Sequence, residues 1–144
     1  MNDLYLIAHI AGQRVALATE AIDSVVHVTH TTSVPLAPPH LMGLAALRSR
    51  VITMIDTRIA LGLDPAEPRA TLTTVVVNLD GHQYGLVVDM VEDVCAIAGV
   101  PAPVRSRLGA GWARASLGLL DHDGASLLLI DPAMLAAGNL ALAA

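Results

Sequence analysis

TTVVVNLDGHQYGLVVDMV, residues 73–91, decides the fold. Two apolar runs rich in β-branched residues meet at Asp80-Gly81-His82. Asp-Gly between such runs is the strongest short-range hairpin signal, because a type I′ turn needs positive φ at both central residues. The chain is therefore built from short antiparallel strands. Downstream, EDVCAIAGV (92–100) continues as another strand and PAPVRSRLGAG (101–111) is a Pro/Gly loop. ARASLGLLDHDGASLLLID (113–131) is a further hairpin about Asp123-Gly124. In DPAMLAAGNLALAA (131–144), Asp131 is placed as an N-cap and Pro132 as the first helical residue, so the chain closes on a short helix.

Upstream the same grammar holds. LYLIAHI (4–10) and RVALAT (14–19) flank Ala11-Gly12-Gln13, a hairpin connection with a glycine. One helical turn at 20–23 leads into a β-branched strand at 24–28. HTTSVPLAPPHLMG (30–43) is a surface loop, since its prolines remove backbone donors and hold their neighbours extended. VITMID (51–56) is an apolar strand, and TRIALGL closes it with a short helix ending at Gly62. LDPAEPRAT (63–71), polar and proline-containing, is the expected lobe boundary within one domain spanning 1–144. Many short strands with Gly/Pro punctuation and little helix define the fold class: all-β with a short C-terminal helix, arranged as small barrels. The two halves echo each other in turn, proline-rich loop and apolar strand, but too loosely for a sequence repeat.

Composition narrows the function. Of 144 residues 54% are hydrophobic and 15% charged, which suits either extensive burial or a surface covered by partners. No apolar run approaches the ~18–20 residues that span a bilayer. The N-terminal MNDLYLIAHIAGQR lacks a basic n-region, so a cytoplasmic protein without membrane insertion is expected. A net charge of −5 with no basic block argues against nucleic acid. The single Cys95 is expected to pack as a small apolar residue. His27 and His30 point to opposite faces of an extended chain, so no metal site is expected. No nucleophile or phosphate-loop motif occurs, and neither catalytic residue nor cofactor is expected.

GLAALRSRVITMIDTR (43–58) concentrates three of the eight Lys plus Arg. Alternation from Leu47 places Arg48, Arg50, Ile52, Met54, Asp56 and Arg58 on one face. That face is apolar in the middle and charged at its ends. Two readings stand. The arginines solvate the ends of a core strand, with Asp56 and Arg58 as a surface pair worth under ~1 kcal/mol. Alternatively they grip a protein partner, as arginine does at interface hot spots.

Four blocks in order, the opening hairpin with AIDSVV, VPLAPPHLMG, GLAALRSRVITMID and GLVVDMVEDV, resemble the CheW family of bacterial chemotaxis coupling proteins. The resemblance covers nearly the whole chain. It implies two intertwined five-stranded SH3-like β-barrel subdomains around a shared apolar core, without catalytic activity. It further implies a bridge between the cytoplasmic tip of a chemoreceptor and the regulatory domain of a CheA-type histidine kinase. The location implied is the cytoplasm, at membrane-bound receptor arrays. Positions matching the family's receptor groove are Ile22, Gly43, Arg48, Val87, Val88 and Val91. Ala46 and Ser49 stand where the family has the Asn and Gly of its N-L-R-G block, and Ser24 stands where an acid is common. A small-ligand-binding sensory barrel is the alternative from a different class.

Overall fold

The computed structural model describes residues 3–104 and 107–138. Ten strands form two five-stranded sheets. The strands are β1 (Asp3–Ile10), β2 (Gln13–Ala18), β3 (Ile22–Val28), β4 (Leu41–Leu47), β5 (Arg50–Asp56), β6 (Leu72–Leu79), β7 (His82–Val87), β8 (Met90–Ile97), β9 (Ser116–His122) and β10 (Ala125–Ile130). Three short helices, α1 (Thr57–Ala60), α2 (Ala110–Ala115) and α3 (Pro132–Ala137), complete the described secondary structure with a 3₁₀ turn at Thr19–Ala21. The Gly-containing turns behave as their sequences require. Asp80 and Gly81 have φ of 52° and 80°, Asp123 and Gly124 49° and 77°, and Ala11 and Gly12 52° and 79°. These are the paired positive values of a type I′ turn.

One sheet has the order β8-β1-β2-β10-β9 and the other β3-β6-β7-β5-β4. The two are topologically identical. In each, an antiparallel hairpin (β1–β2 or β6–β7) sits beside a parallel pairing (β2 with β10, β7 with β5). In each, a second antiparallel pair (β9–β10 or β4–β5) closes the other side. The chain is therefore two successive five-stranded units, β1–β5 and β6–β10. Each unit gives its hairpin to the sheet built from the last three strands of the other.

This exchange corrects the lobe boundary expected at 63–71. That segment joins α1 to β6, and the strands on either side of it belong to the same sheet. The chain crosses between sheets at 19–21 and 88–89 instead. The polar, proline-rich break marks the junction of the two units, and the hairpin exchange moves the lobe boundaries elsewhere.

Burial follows the two-residue period of the strands. On β1, Leu6, Ala8 and Ile10 face a core shared by both sheets, while Tyr5 and Ile7 face the interior of their own lobe. On β10, Leu128 and Ile130 face the shared core, and Leu127 and Leu129 the lobe interior. On β6, Val75 and Val77 join the shared core and Val76 the other lobe, with Ile52 and Met54. Three apolar cores result, two within lobes and one between them. A fully buried Val, Leu or Ile contributes roughly 1.5–3 kcal/mol, so the shared core binds the lobes into one body.

Each sheet curls until its edges almost meet. The chain after β3 bridges to β4 through Thr32 and Leu44, and the chain after β8 bridges to β9 through Ala102 and Leu119. Both bridges carry a reciprocal pair of 2.8 Å backbone hydrogen bonds. The helices seal the ends. Asp56 caps α1 by accepting from the amides of Arg58 and Ile59, and Asp131 caps α3 by accepting from Ala133 N. Buried His40 donates from Nε2 to Ala136 O at 2.9 Å and so ties the β3–β4 loop to the end of α3. Residues 139–144, included in the expected C-terminal helix, lie outside the described residues.

Candidate docking surface

The arginine-rich stretch is a hairpin rather than one strand. Leu47 pairs with Arg50 across a turn at Arg48-Ser49, so the alternation expected from Leu47 to Arg58 breaks there. Arg48 takes φ of 58°, an unusual conformation for a residue with a β-carbon. The turn leaves Arg48 exposed at the tip, roughly 20 Å along β5 from its α1 end at ~3.3 Å per residue.

Arg50 Nη1 lies 3.8 Å from Oδ2 of Asp23, the second residue of edge strand β3. The acid at 23 thus faces Arg50, next to the Ser24 where the family pattern has a carboxylate. Both partners are largely exposed, so the pair is worth little in stability. Arg58 sends Nε to Asp64 O at 3.0 Å, while Asp56 spends Oδ1 on backbone amides. The expected Asp56–Arg58 side-chain pair is therefore replaced by a helix cap and a loop tether.

The six groove positions do not form one patch. Ile22 pairs with Val77 and Val91 pairs with Ala8, and both pack half-buried against the shared core. Val88 is buried in that core. Val87 packs against the core of the second lobe, and its carbonyl accepts from Thr57 Oγ1. Gly43 is buried on β4 beside the Thr32 backbone and has no side chain to offer. Arg48 stands alone at the surface, at the far end of its hairpin.

Exposed aliphatics on the edge strands escaped the sequence reading. Val25 on β3 and Leu44 on β4 edge one sheet, and Met90 and Val94 on β8 with Leu117 on β9 edge the other. Val25 pairs with Val75 and Val94 with Leu6, and both partners are buried in the shared core. Val25 and Val94 thus hold equivalent positions at the two margins of that core. Their sequences carry no signal for this, because exposure here follows from lying on an edge strand. Beside Val94, Glu92 accepts from Arg14 Nε and Nη2 at 2.7 and 3.1 Å and from His9 Nε2 at 2.6 Å. The Arg14 hydrogen bonds, then the His9 one, hold the Glu92 carboxyl below its ordinary value. The same contact raises the Arg14 guanidinium.

The structure is that of a β-protein of two hairpin-exchanged lobes on a common core, with aliphatic side chains exposed along the edge strands. Residues 4–138 match the family model for the CheW-like domain, and the chain belongs to that family. Over 107 residues it is 32% identical to the probable chemotaxis protein CheW of Rhizobium etli, covering 72% of this chain and 67% of that one. It is 29% identical to the chemotaxis protein CheW of Rhizobium meliloti over the same length and shares. The crystal structure of the scaffolding protein TtCheW from Thermoanaerobacter tengcongensis superposes with a TM-score of 0.79 at 21% identity, covering 91% of this chain and 90% of that one. Membership makes the chain a non-enzymatic, adaptor-type domain of chemotaxis signalling. Among the described residues no helix is long and apolar enough to cross a membrane.

Proposed function

We propose that the chain couples the cytoplasmic tip of a chemoreceptor to the regulatory domain of a CheA-type histidine kinase, at cytoplasmic receptor arrays. The observation that carries this is the exposure of aliphatic side chains on the edge strands of both lobes. Such edges are the surfaces on which β-rich partners and amphipathic helices bury apolar area. Having them on each of two joined lobes suits a protein that holds two partners at once. Arg48 supplies an exposed guanidinium for the receptor, while Ile22, Val88 and Val91 set the seam between lobes and Val87 borders it.

Arg48→Ala and Arg48→Glu test the receptor contact. Both substitutions should weaken co-sedimentation with a receptor tip fragment and leave the thermal melt within a degree or two, as expected for an exposed turn residue. Val94→Asp should weaken partner capture on the other lobe. Full receptor and kinase capture by all three variants would overturn the reading.

A further inference from the structure

The connection between the two five-stranded units forms a strap, residues 64–69, of which Ala66, Glu67, Pro68 and Arg69 line one wall of a cleft of about 250 Å³. Met42, Leu72, Val87 and Val88 give the cleft an apolar floor. Five charged residues stand around it: Arg58 and Arg69 of one sign, Asp56, Glu67 and Asp89 of the other. Among the described residues, none of the five is within ion-pair distance of an opposite charge. Three are nonetheless held in place. Asp56 Oδ1 accepts from two amides, the Asp89 carboxylate accepts from Gly12 N at 2.9 Å, and Arg58 Nε donates to Asp64 O. Among the described residues, Oδ2 of Asp56 and the Nη end of Arg58 have no hydrogen-bond partner.

We propose that this cleft binds a small zwitterion with an aliphatic side chain, of which an aliphatic α-amino acid is the simplest case. Charges of both signs border one small concavity without neutralising each other at contact. A ligand of single charge would satisfy one sign and oppose the other, whereas a zwitterion satisfies both. The carboxylate goes to Arg58 and Arg69, the ammonium to the facing acids, and the side chain to the valine and methionine floor. A small concavity with an apolar floor and a few convergent polar groups is what small-molecule sites share. The strap lies where one unit passes into the next.

Isothermal titration of the intact chain tests this, with L-leucine against isovalerate, isoamylamine and glycine, and needs no receptor or kinase. Leucine is expected to bind with a Kd of about 1 mM or tighter, and each of the other three at least about tenfold more weakly. Arg69→Gln and Glu67→Gln, both on the exposed strap, should each weaken leucine about tenfold and leave the melt of the free chain unchanged. Absence of leucine binding, binding of isovalerate or isoamylamine equal to that of leucine, or full affinity in both strap variants would each overturn the proposal.

Discussion

Gly43 and Gly118 occupy equivalent points on β4 and β9, and each is pressed against a backbone carbonyl of the bridging segment. A Cβ on Gly43 would stand 2.4 Å from Thr32 O, and one on Gly118 2.8 Å from Ala102 O. Their φ values, 152° and 133°, are also disfavoured for residues with a β-carbon. The two glycines let each sheet draw its edges together.

Gly43→Ala and Gly118→Ala should therefore each cost about 1–3 kcal/mol, through displaced backbone and strain. Urea denaturation reads this directly. Any loss of partner binding in Gly43→Ala should follow the loss of fold, and an unchanged urea midpoint would show that the bridges bend freely.

Hairpin exchange makes a prediction about fragments. A chain cut within 64–69 yields two pieces, each with a hairpin and a three-strand set from different sheets. Neither piece can complete a sheet, so each alone should lack cooperative melting. Co-expressed, they should associate and regain the β circular dichroism of the intact chain. Independent folding of either piece would contradict the exchanged topology.

Arg48 sits at φ 58° in an exposed turn whose second residue is Ser49. Glycine takes that conformation without steric cost. Arg48→Gly should leave the fold about 0.5–1 kcal/mol more stable while removing the guanidinium. Greater stability joined to weaker receptor capture would separate the two roles of the residue. A drop in stability would mean that the arginine side chain makes a net contribution of its own.

Glu92 gives the chain a mild acid sensitivity. Its carboxyl is held below its ordinary value by Arg14 and then His9, so it binds its proton more weakly folded than unfolded. Its stabilisation is fully present above the unfolded value and is lost as pH falls through the lower folded value. Glu92→Gln should flatten that limb of a urea-midpoint-against-pH profile and leave the shape near neutrality unchanged. An identical acid limb in the variant would remove Glu92 from the account.

Several elements were legible because their causes are local. The turns at Asp80-Gly81 and Asp123-Gly124, the Asp131-Pro132 helix start and the alternation of β1 and β10 depend on residues a few positions apart. Strand β4 was not legible, because Arg48-Ser49 has neither glycine nor asparagine and the turn is imposed by pairing with β5. Helix α2 was hidden because Gly109 precedes it and Gly111 lies in its first turn. Gly111 is required because α2 packs onto Leu61, whose carbonyl would lie 2.0 Å from an added Cβ. Of the candidate surface, Arg48 is singled out by its block alone, whereas the exposed edges at Val25 and Val94 carry no sequence signal.

By itself the sequence determined a chain of short strands, its main turns, the Asp131 start of its last helix and its family. Only the tertiary structure decided that β1–β2 completes the sheet of β8–β10 and that β6–β7 completes the sheet of β3–β5. Alternation and turn chemistry are local, so each hairpin is equally well formed whichever triplet receives it. The choice of partner rests on contacts between residues as distant as Leu6 and Val94 or Val15 and Leu128, and on the shared core those pairings create. The same long-range choice sets which strands become edges, and so which aliphatic side chains remain free to meet a partner.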